Sequence, residues 1–140
     1  MNHSQILLPM ICLVMMTGGM GIALLTARYK AVKEGSLSIA YFKYNRGGRP
    51  PEYLIKISHH FQNLLETPQL FYLSTIVILL LEKSDPMYLG LAWCYFASRM
   101  IHSWIHLGSN NVLHRKNAFL VSYLLIFTIW SRLLLQLLME

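Results

Sequence analysis

The sequence contains few charged residues. Asp, Glu, Lys and Arg together make up 13% of its 140 residues, whereas 55% are hydrophobic. Soluble domains usually carry about 25% charged residues, so this composition argues against a soluble protein. A bilayer core roughly 30 Å thick requires about 20 mostly apolar residues per helix. The chain length therefore allows four membrane spans, and we expect one all-α membrane domain covering residues 1–140 with no separate soluble domain.

Acidic residues and cysteines are also scarce. There are 6 acidic residues against 12 Lys and Arg, giving a net charge of +6. The basic residues cluster in one segment between apolar runs, which indicates membrane orientation and not nucleic-acid binding. The two cysteines, Cys12 and Cys94, lie in separate apolar runs without CxxC spacing, which argues against a disulfide framework or a dithiol site.

The apolar runs predict four helices. The first run has neither a basic leader nor a small-residue cleavage site, so we expect it to remain as a membrane helix. The apolar part of the second run, residues 70–81, is too short to cross a bilayer alone, so that helix must begin near Glu52. The predicted helices cover about 6–28, 52–81, 87–107 and 116–138, and they form a four-transmembrane-helix bundle.

The charges between these helices predict their orientation. The long connection between the first two helices is rich in Lys and Arg, whereas the second connection carries one Lys and two acids, Glu82 and Asp85. Because Lys and Arg accumulate on the cytoplasmic side, we expect the long connection to be cytoplasmic. Arg115 and Lys116 in the third connection agree, so both termini are predicted on the non-cytoplasmic side.

Two predicted helices carry polar residues at membrane depth, where such residues are costly and often functional. His59, Asn63 and Glu66 share one helical face, because they are four and three residues apart. Pro68 should kink the same helix. One interpretation is a buried ion pair between Glu66 and Arg99 that does no chemistry, and the other is a polar ligand site. His60 and His114 are interpreted as residues at headgroup level.

The third predicted helix carries a second polar face, formed by Arg99, His102 and His106 at spacings of three and four. One asparagine and three histidines exceed what a single ion pair requires, so this surplus favours a polar ligand between the two helices. The sequence also leaves open a metal or haem site, because His102 and His106 are four residues apart and His59 and Glu66 are potential further ligands.

Segment 60–71, with Asn63, Glu66 and Pro68, resembles the Asn-x-x-Glu signature of the MAPEG family, the membrane-associated proteins of eicosanoid and glutathione metabolism. Arg99, His102 and Arg115 are three and thirteen residues apart, which is similar to the prostaglandin E synthase branch of that family. The sequence around these residues is most similar to that of a bacterial group within the family. A bacterial source would place the protein in the inner membrane.

The resemblance implies a homotrimer of four-helix subunits that binds glutathione between subunits, near the cytoplasmic surface. It implies that glutathione is held by residues of the second and third helices, namely Asn63, Glu66, Arg99, His102, His106, His59 and Gln62. Arg115 would stabilise the glutathione thiolate as the catalytic residue. The activated thiol would then serve conjugation or peroxide reduction of a lipophilic substrate that arrives from the bilayer.

The sequence departs from the family pattern at four positions. Gln62 and His59 stand where the family's enzymes usually carry arginines, and His106 replaces a common tyrosine. Lys116 stands where a small hydroxyl residue can follow the thiolate-stabilising arginine. These differences keep open an alternative function, that of a non-catalytic lipid-binding protein.

Overall fold

The computed structural model describes residues 3–139 as an all-α chain. A short 3-10 helix, His3–Ile6, leads directly into α1. The helices are α1 (Leu7–Lys33), α2 (Tyr41–Tyr44), α3 (Glu52–Glu66), α4 (Gln69–Leu80), α5 (Pro86–Leu107) and α6 (Val112–Leu138).

Three helical segments are long and apolar enough to cross a membrane. They are Ser4–Lys33, Glu52–Leu80, which joins α3 and α4, and Val112–Leu138. The 22-residue helix α5 is also long enough to span, but it is not one of the three. Its Arg99, His102 and His106 lower its mean hydropathy.

Side-chain caps determine where α5 and α6 begin. Asp85 accepts a hydrogen bond from the Tyr88 N–H at 2.9 Å, with Pro86 in the first turn of α5. Asn111 accepts from the N–H groups of Leu113 and His114 at 3.0 and 3.3 Å. Such caps satisfy N–H groups that have no partner within the helix. The cap at Asn111 starts α6 at Val112, four residues before the predicted start, and places Arg115 inside its first turn.

The second predicted helix is divided into α3 and α4 at Thr67 and Pro68. Pro68 has no N–H to donate to the carbonyl of Leu64, so the regular hydrogen-bond ladder is interrupted there. The Gln69 side chain donates to the Leu65 carbonyl at 3.2 Å and satisfies one carbonyl beside the break. The break separates the polar helix α3 from the apolar helix α4.

Two apolar clusters among the described residues hold the helices together. The larger joins α1, α4, α5 and α6 and contains Ile6, Leu13, Phe71, Ile78, Tyr88, Ala92, Tyr95, Ile126, Ile129 and Leu133. The smaller packs α1 against α3 and contains Leu24, Ala27, Ala31, Leu37 and Leu54. The polar residues of α3 and α5 lie outside both clusters, and helix α5 packs along α6 and also contacts α3.

An ion pair links the start of α5 to the end of α6. The terminal nitrogens Nη1 and Nη2 of Arg132 both donate to the Asp85 carboxylate, Nη1 at 3.1 Å. The guanidinium also lies 4.0 Å from the centre of the Tyr88 ring, and the Tyr88 hydroxyl donates to Gln136 at 2.7 Å. Partial burial raises the pKa of Asp85, but the bonds from Arg132 and the Tyr88 N–H outweigh it and hold that pKa below its ordinary value.

Asp85→Ala removes both the helix cap and the ion pair. We expect it to lower the free energy of unfolding by about 0.5–2 kcal/mol from the lost cap. Asp85→Asn should lower the free energy of unfolding less, because it keeps the cap.

Since the folded-state pKa of Asp85 is depressed, its stabilisation is present above its ordinary pKa of about 3.9 and is lost as the pH falls through the lower folded-state value. Thermal unfolding in detergent at several pH values measures this, with exposed Glu82→Gln as the control. Equal acid sensitivity of wild type and Asp85→Asn would contradict it.

Candidate functional site

The polar face of α5 is turned inward. Arg99 is 0% exposed, and His102 and His106 are buried as well. Arg99 donates through Nη2 to the Asn63 side-chain oxygen on α3. Its Nε and Nη1 are buried and find no hydrogen-bond partner within residues 3–139. A guanidinium with one neutral partner at membrane depth is costly, because its remaining donors are unsatisfied.

The Glu66 carboxylate is not the partner of Arg99. Glu66 is exposed and accepts a hydrogen bond from Gln62 at 2.8 Å. The interpretation of an ion pair between Glu66 and Arg99 is therefore wrong for the single chain. Asn63 and Glu66 are only about 60° apart around the helix axis, but the rotation of α3 about its axis turns Asn63 towards α5 and leaves Glu66 exposed.

Arg115 joins the site from the first turn of α6. Its Nη1 donates to the Asn110 side-chain oxygen at 2.8 Å and lies 3.3 Å from Nε2 of His106. The connection before α6 turns tightly, because Asn110 adopts a left-handed conformation (φ 51°) and its N–H donates to the Ile105 carbonyl at 2.8 Å. This turn brings Arg115 next to His106, although the two residues lie on different helices.

A cavity of about 240 Å³ lies between α3, α5 and α6. Its walls carry five of the predicted site residues, namely His59, Asn63, His102, His106 and Arg115, together with Val112, Lys116 and Phe119. Arg99 lies behind this wall, bonded to Asn63. Because Arg115 and Lys116 are cationic and none of the carboxylates that the structure describes lines the cavity, the site suits an anionic ligand with groups that accept hydrogen bonds.

Gln62 and Glu66 lie away from this cavity. Gln62 lines a larger and more apolar cavity of about 670 Å³ between α1 and α3, which also contains Arg28 and Phe61. His59 lies on the walls of both cavities. The structure therefore brings Asn63, Arg99, His102, His106, Arg115 and His59 to one region. It leaves Gln62 on the wall of the larger cavity and Glu66 on the exposed surface of α3.

Sequence reasoning missed His60 and Phe119, which both lie in this region. His60 was interpreted as a headgroup-level residue, but it is 0% exposed. Its ring centre lies 5.1 Å from that of His106 and 6.3 Å from that of His102. Phe119 lies on the cavity wall with its ring centre 6.1 Å from that of His102. Two spacings in the sequence indicate these residues. His60 lies three residues before Asn63 and Phe119 lies four residues after Arg115, so each pair shares a helical face.

The described histidines, cysteines and carboxylates do not form a metal site. No group of three or more of them between residues 3 and 139 is arranged to hold a metal ion. Of the ligands suggested by the sequence, Glu66 lies on the outer face of α3, away from His102 and His106. The geometry gives the metal or haem interpretation no support.

The family model of the MAPEG family matches residues 6–135, which is nearly the whole chain. The chain belongs to the MAPEG family. No curated protein and no solved structure matches it. Membership confirms the family predicted from the polar motifs, and with the apolar helices it makes the chain a multi-pass integral membrane protein. MAPEG proteins typically bind glutathione, an anionic tripeptide that agrees in charge with the cationic cavity beside Asn63 and Arg115.

Proposed function

We propose that this MAPEG protein binds glutathione in the cavity between α3, α5 and α6 and activates its thiol for conjugation or peroxide reduction of a lipophilic substrate. One observation carries the proposal. Asn63, His102, His106 and Arg115 come from three different helices and line one cavity. Behind it, Nε and Nη1 of Arg99 are buried without a partner among residues 3–139.

The chemistry of glutathione suits these side chains. The tripeptide has two carboxylates, two amide groups and one thiol. Lys116 and Arg115 supply positive charge at the cavity wall, and Asn63 and His102 offer hydrogen bonds. Both nitrogens of His102 are buried without a partner among the described residues. Buried polar groups are normally satisfied, so a bound peptide would complete hydrogen bonds that the chain alone leaves open.

Arg115 has the position for thiol activation. A free thiol has a pKa of about 8.5 and is mostly protonated at neutral pH, but a neighbouring cation stabilises the thiolate. The S–H bond breaks, the proton leaves to solvent, and the guanidinium of Arg115 pairs with the sulfur anion. The protein needs no cysteine nucleophile for this step. Cys12 and Cys94 are exposed and do not line the cavity.

The thiolate then supports either of two reactions. In conjugation, the sulfur forms a bond to an electrophilic carbon of the substrate. A leaving group departs from that carbon with its bonding electrons, or, at an activated double bond, the π electrons move to the neighbouring carbon, which takes a proton from solvent. In peroxide reduction, the sulfur attacks one peroxide oxygen, the O–O bond breaks, and an alcohol and a glutathione sulfenic acid form after protonation. A second glutathione converts the sulfenic acid to glutathione disulfide and water. The apolar surfaces of the helices give a lipophilic substrate access from the bilayer.

We also propose four membrane spans with the long connection between α1 and α3 on the cytoplasmic side, and assembly as a homotrimer. The excess of Lys and Arg in that connection supports the orientation. The face of α1 at Gly18 and Gly19 supports close subunit packing, because a Cβ atom at either glycine would have no neighbour within 4 Å. Small residues allow helices to approach closely in membranes. Exposed Gln62 and Glu66 then become available to a ligand bound between subunits.

The second candidate function is lipid binding without catalysis. The cavity between α1 and α3 favours it, because this cavity is larger and most of its wall is apolar. Arg28 supplies one cation there for an acidic headgroup. Under this alternative, lipid occupies the protein and glutathione does not bind.

Thermal unfolding of the detergent-purified protein during a glutathione titration distinguishes the two functions. Glutathione binding should stabilise the wild type by about 2.7 kcal/mol at a concentration of 100 times Kd. His102→Leu should reduce this gain, whereas His114→Leu, an exposed control on α6, should keep it. Stabilisation by added lipid with no response to glutathione would contradict the proposal and favour the lipid-binding alternative.

A further inference from the structure

His60 is a buried histidine that the proposed glutathione site does not use. It lies on α3 against the polar face of α5, and it is 0% exposed. Both of its ring nitrogens are buried without a hydrogen-bond partner among the described residues. Buried polar nitrogens at membrane depth are costly when unpaired, so a role for His60 should involve a neighbour that also lacks a partner.

The neighbour is His106, and its hydrogen bonds determine its tautomer. A guanidinium only donates hydrogen bonds. In the 3.3 Å contact between Arg115 Nη1 and His106 Nε2, Nε2 must therefore be the acceptor and carry no proton. A neutral imidazole then carries its proton on Nδ1. The Nδ1 atom of His106 is buried without a partner in the described chain, so this N–H requires an acceptor.

The His60 ring is the nearest imidazole that can accept it. Its centre lies 5.1 Å from that of His106, compared with 5.9 Å for His102. This separation allows a direct N–H···N hydrogen bond after a small side-chain adjustment, or a bridge through one water. His102 lines the cavity and is used there by the ligand in the proposed function. His60 does not line it and remains available to His106.

We propose that His60 is a positioning residue that acts through His106 on Arg115. One nitrogen of His60 accepts the Nδ1–H of His106, which fixes the tautomer that presents Nε2 to Arg115. Together with Asn110, this chain of contacts holds the guanidinium beside the cavity, where the glutathione sulfur must lie. The inference rests on the proposed function and assigns to it a residue that the family motif does not contain.

The charges around the two rings agree with this arrangement. The charged and titratable neighbours are Arg99 and His102 on α5, Arg115 on α6 and His59 on α3. An imidazolium at His60 or His106 would add a third positive charge beside the two arginines. Neutral rings therefore have the lower electrostatic energy, and neutral rings are what the proposed chain of hydrogen bonds requires.

The test is a pH titration of glutathione bound to the full-length protein in detergent, followed by the ultraviolet absorbance of the thiolate. We expect His60→Leu to bind glutathione while the pKa of the bound thiol rises by about one unit, which lowers the thiolate fraction at neutral pH by up to about tenfold. His60→Asn and His60→Gln place an amide oxygen near the position of Nδ1 or of Nε2. One of them should restore the wild-type titration, which identifies the accepting nitrogen. His114→Leu is the matched control and should titrate like the wild type.

The outcomes separate this inference from the proposed function. If Arg115→Ala leaves the thiolate titration unchanged, the proposed function itself fails. If Arg115→Ala removes the thiolate signal while His60→Leu titrates like the wild type, the inference is overturned and the proposed function stands. If His60→Leu does not fold, the two amide variants decide, because the inference requires them to differ and identical titrations of the two would overturn it.

Discussion

Glutathione bound to the Arg115→Ala variant is expected to remain largely protonated at neutral pH. An opposite charge within a few ångströms typically lowers the pKa of an acid by 1–3 units, so removing it should reduce the thiolate fraction at least about tenfold. Affinity should fall less, because Asn63, His102 and Lys116 stay on the cavity wall. Thiolate absorbance measured at saturating glutathione separates the loss of ionisation from the loss of binding.

Two variants at neighbouring positions serve as controls for Arg115. Arg115→Lys keeps the charge but has one nitrogen in place of the guanidinium, whose Nη1 alone contacts both Asn110 and His106, so it should retain part of the thiolate. Lys116→Ala removes a cation from the same wall without touching those contacts and should keep most of the signal. If Lys116→Ala removed the thiolate and Arg115→Ala did not, the assignment of the two residues would be reversed.

The second large effect is expected at Asn63. Asn63→Leu removes the hydrogen-bond partner that Arg99 has in the chain and leaves a buried guanidinium with nothing to bind. A hydrogen bond to a charged group contributes about 1.5–3 kcal/mol, and we expect a loss of that size in the free energy of unfolding. The double variant Asn63→Leu with Arg99→Met should recover stability, because it replaces both partners with apolar groups.

Glutathione binding distinguishes this recovery from restored function. The double variant should fold and yet fail to bind glutathione, since it lacks both the amide and the buried cation. Gln62→Leu is the matched control, because Gln62 precedes Asn63 in the chain but is exposed, and it should unfold like the wild type. Full glutathione affinity in the double variant would show that Arg99 and Asn63 serve the fold alone.

The sequence predicted which residues share a polar helix face. It predicted less well which residues of the neighbouring helix they contact. Spacings of three and four correctly indicated that Arg99, His102 and His106 share a buried face, because helical periodicity is a local property. Spacing does not determine which residue of the neighbouring helix lies opposite. That choice depends on the rotation of α3, which turns Asn63 and His60 inward and leaves Glu66 outside. The interpretation of an ion pair between Glu66 and Arg99 was wrong for this reason.

Helix ends show the same division between local and tertiary information. The prolines at positions 68 and 86 act through their own ring and missing N–H, so their effects could be predicted from the sequence. The start of α6 was placed four residues too late, because the predicted boundary ignored the cap at Asn111. His60 was missed because its spacing of three from Asn63 shows only that the two residues share a helical face, and it does not show that this face packs against His106.

The most direct test of the account is an experimental structure of the protein in lipid with glutathione bound. We predict glutathione between α3, α5 and α6, with its sulfur within hydrogen-bond distance of the Arg115 guanidinium and its peptide groups against Asn63 and His102. A cavity filled by a lipid acyl chain, or glutathione bound elsewhere with Arg115 out of reach of its sulfur, would contradict the account.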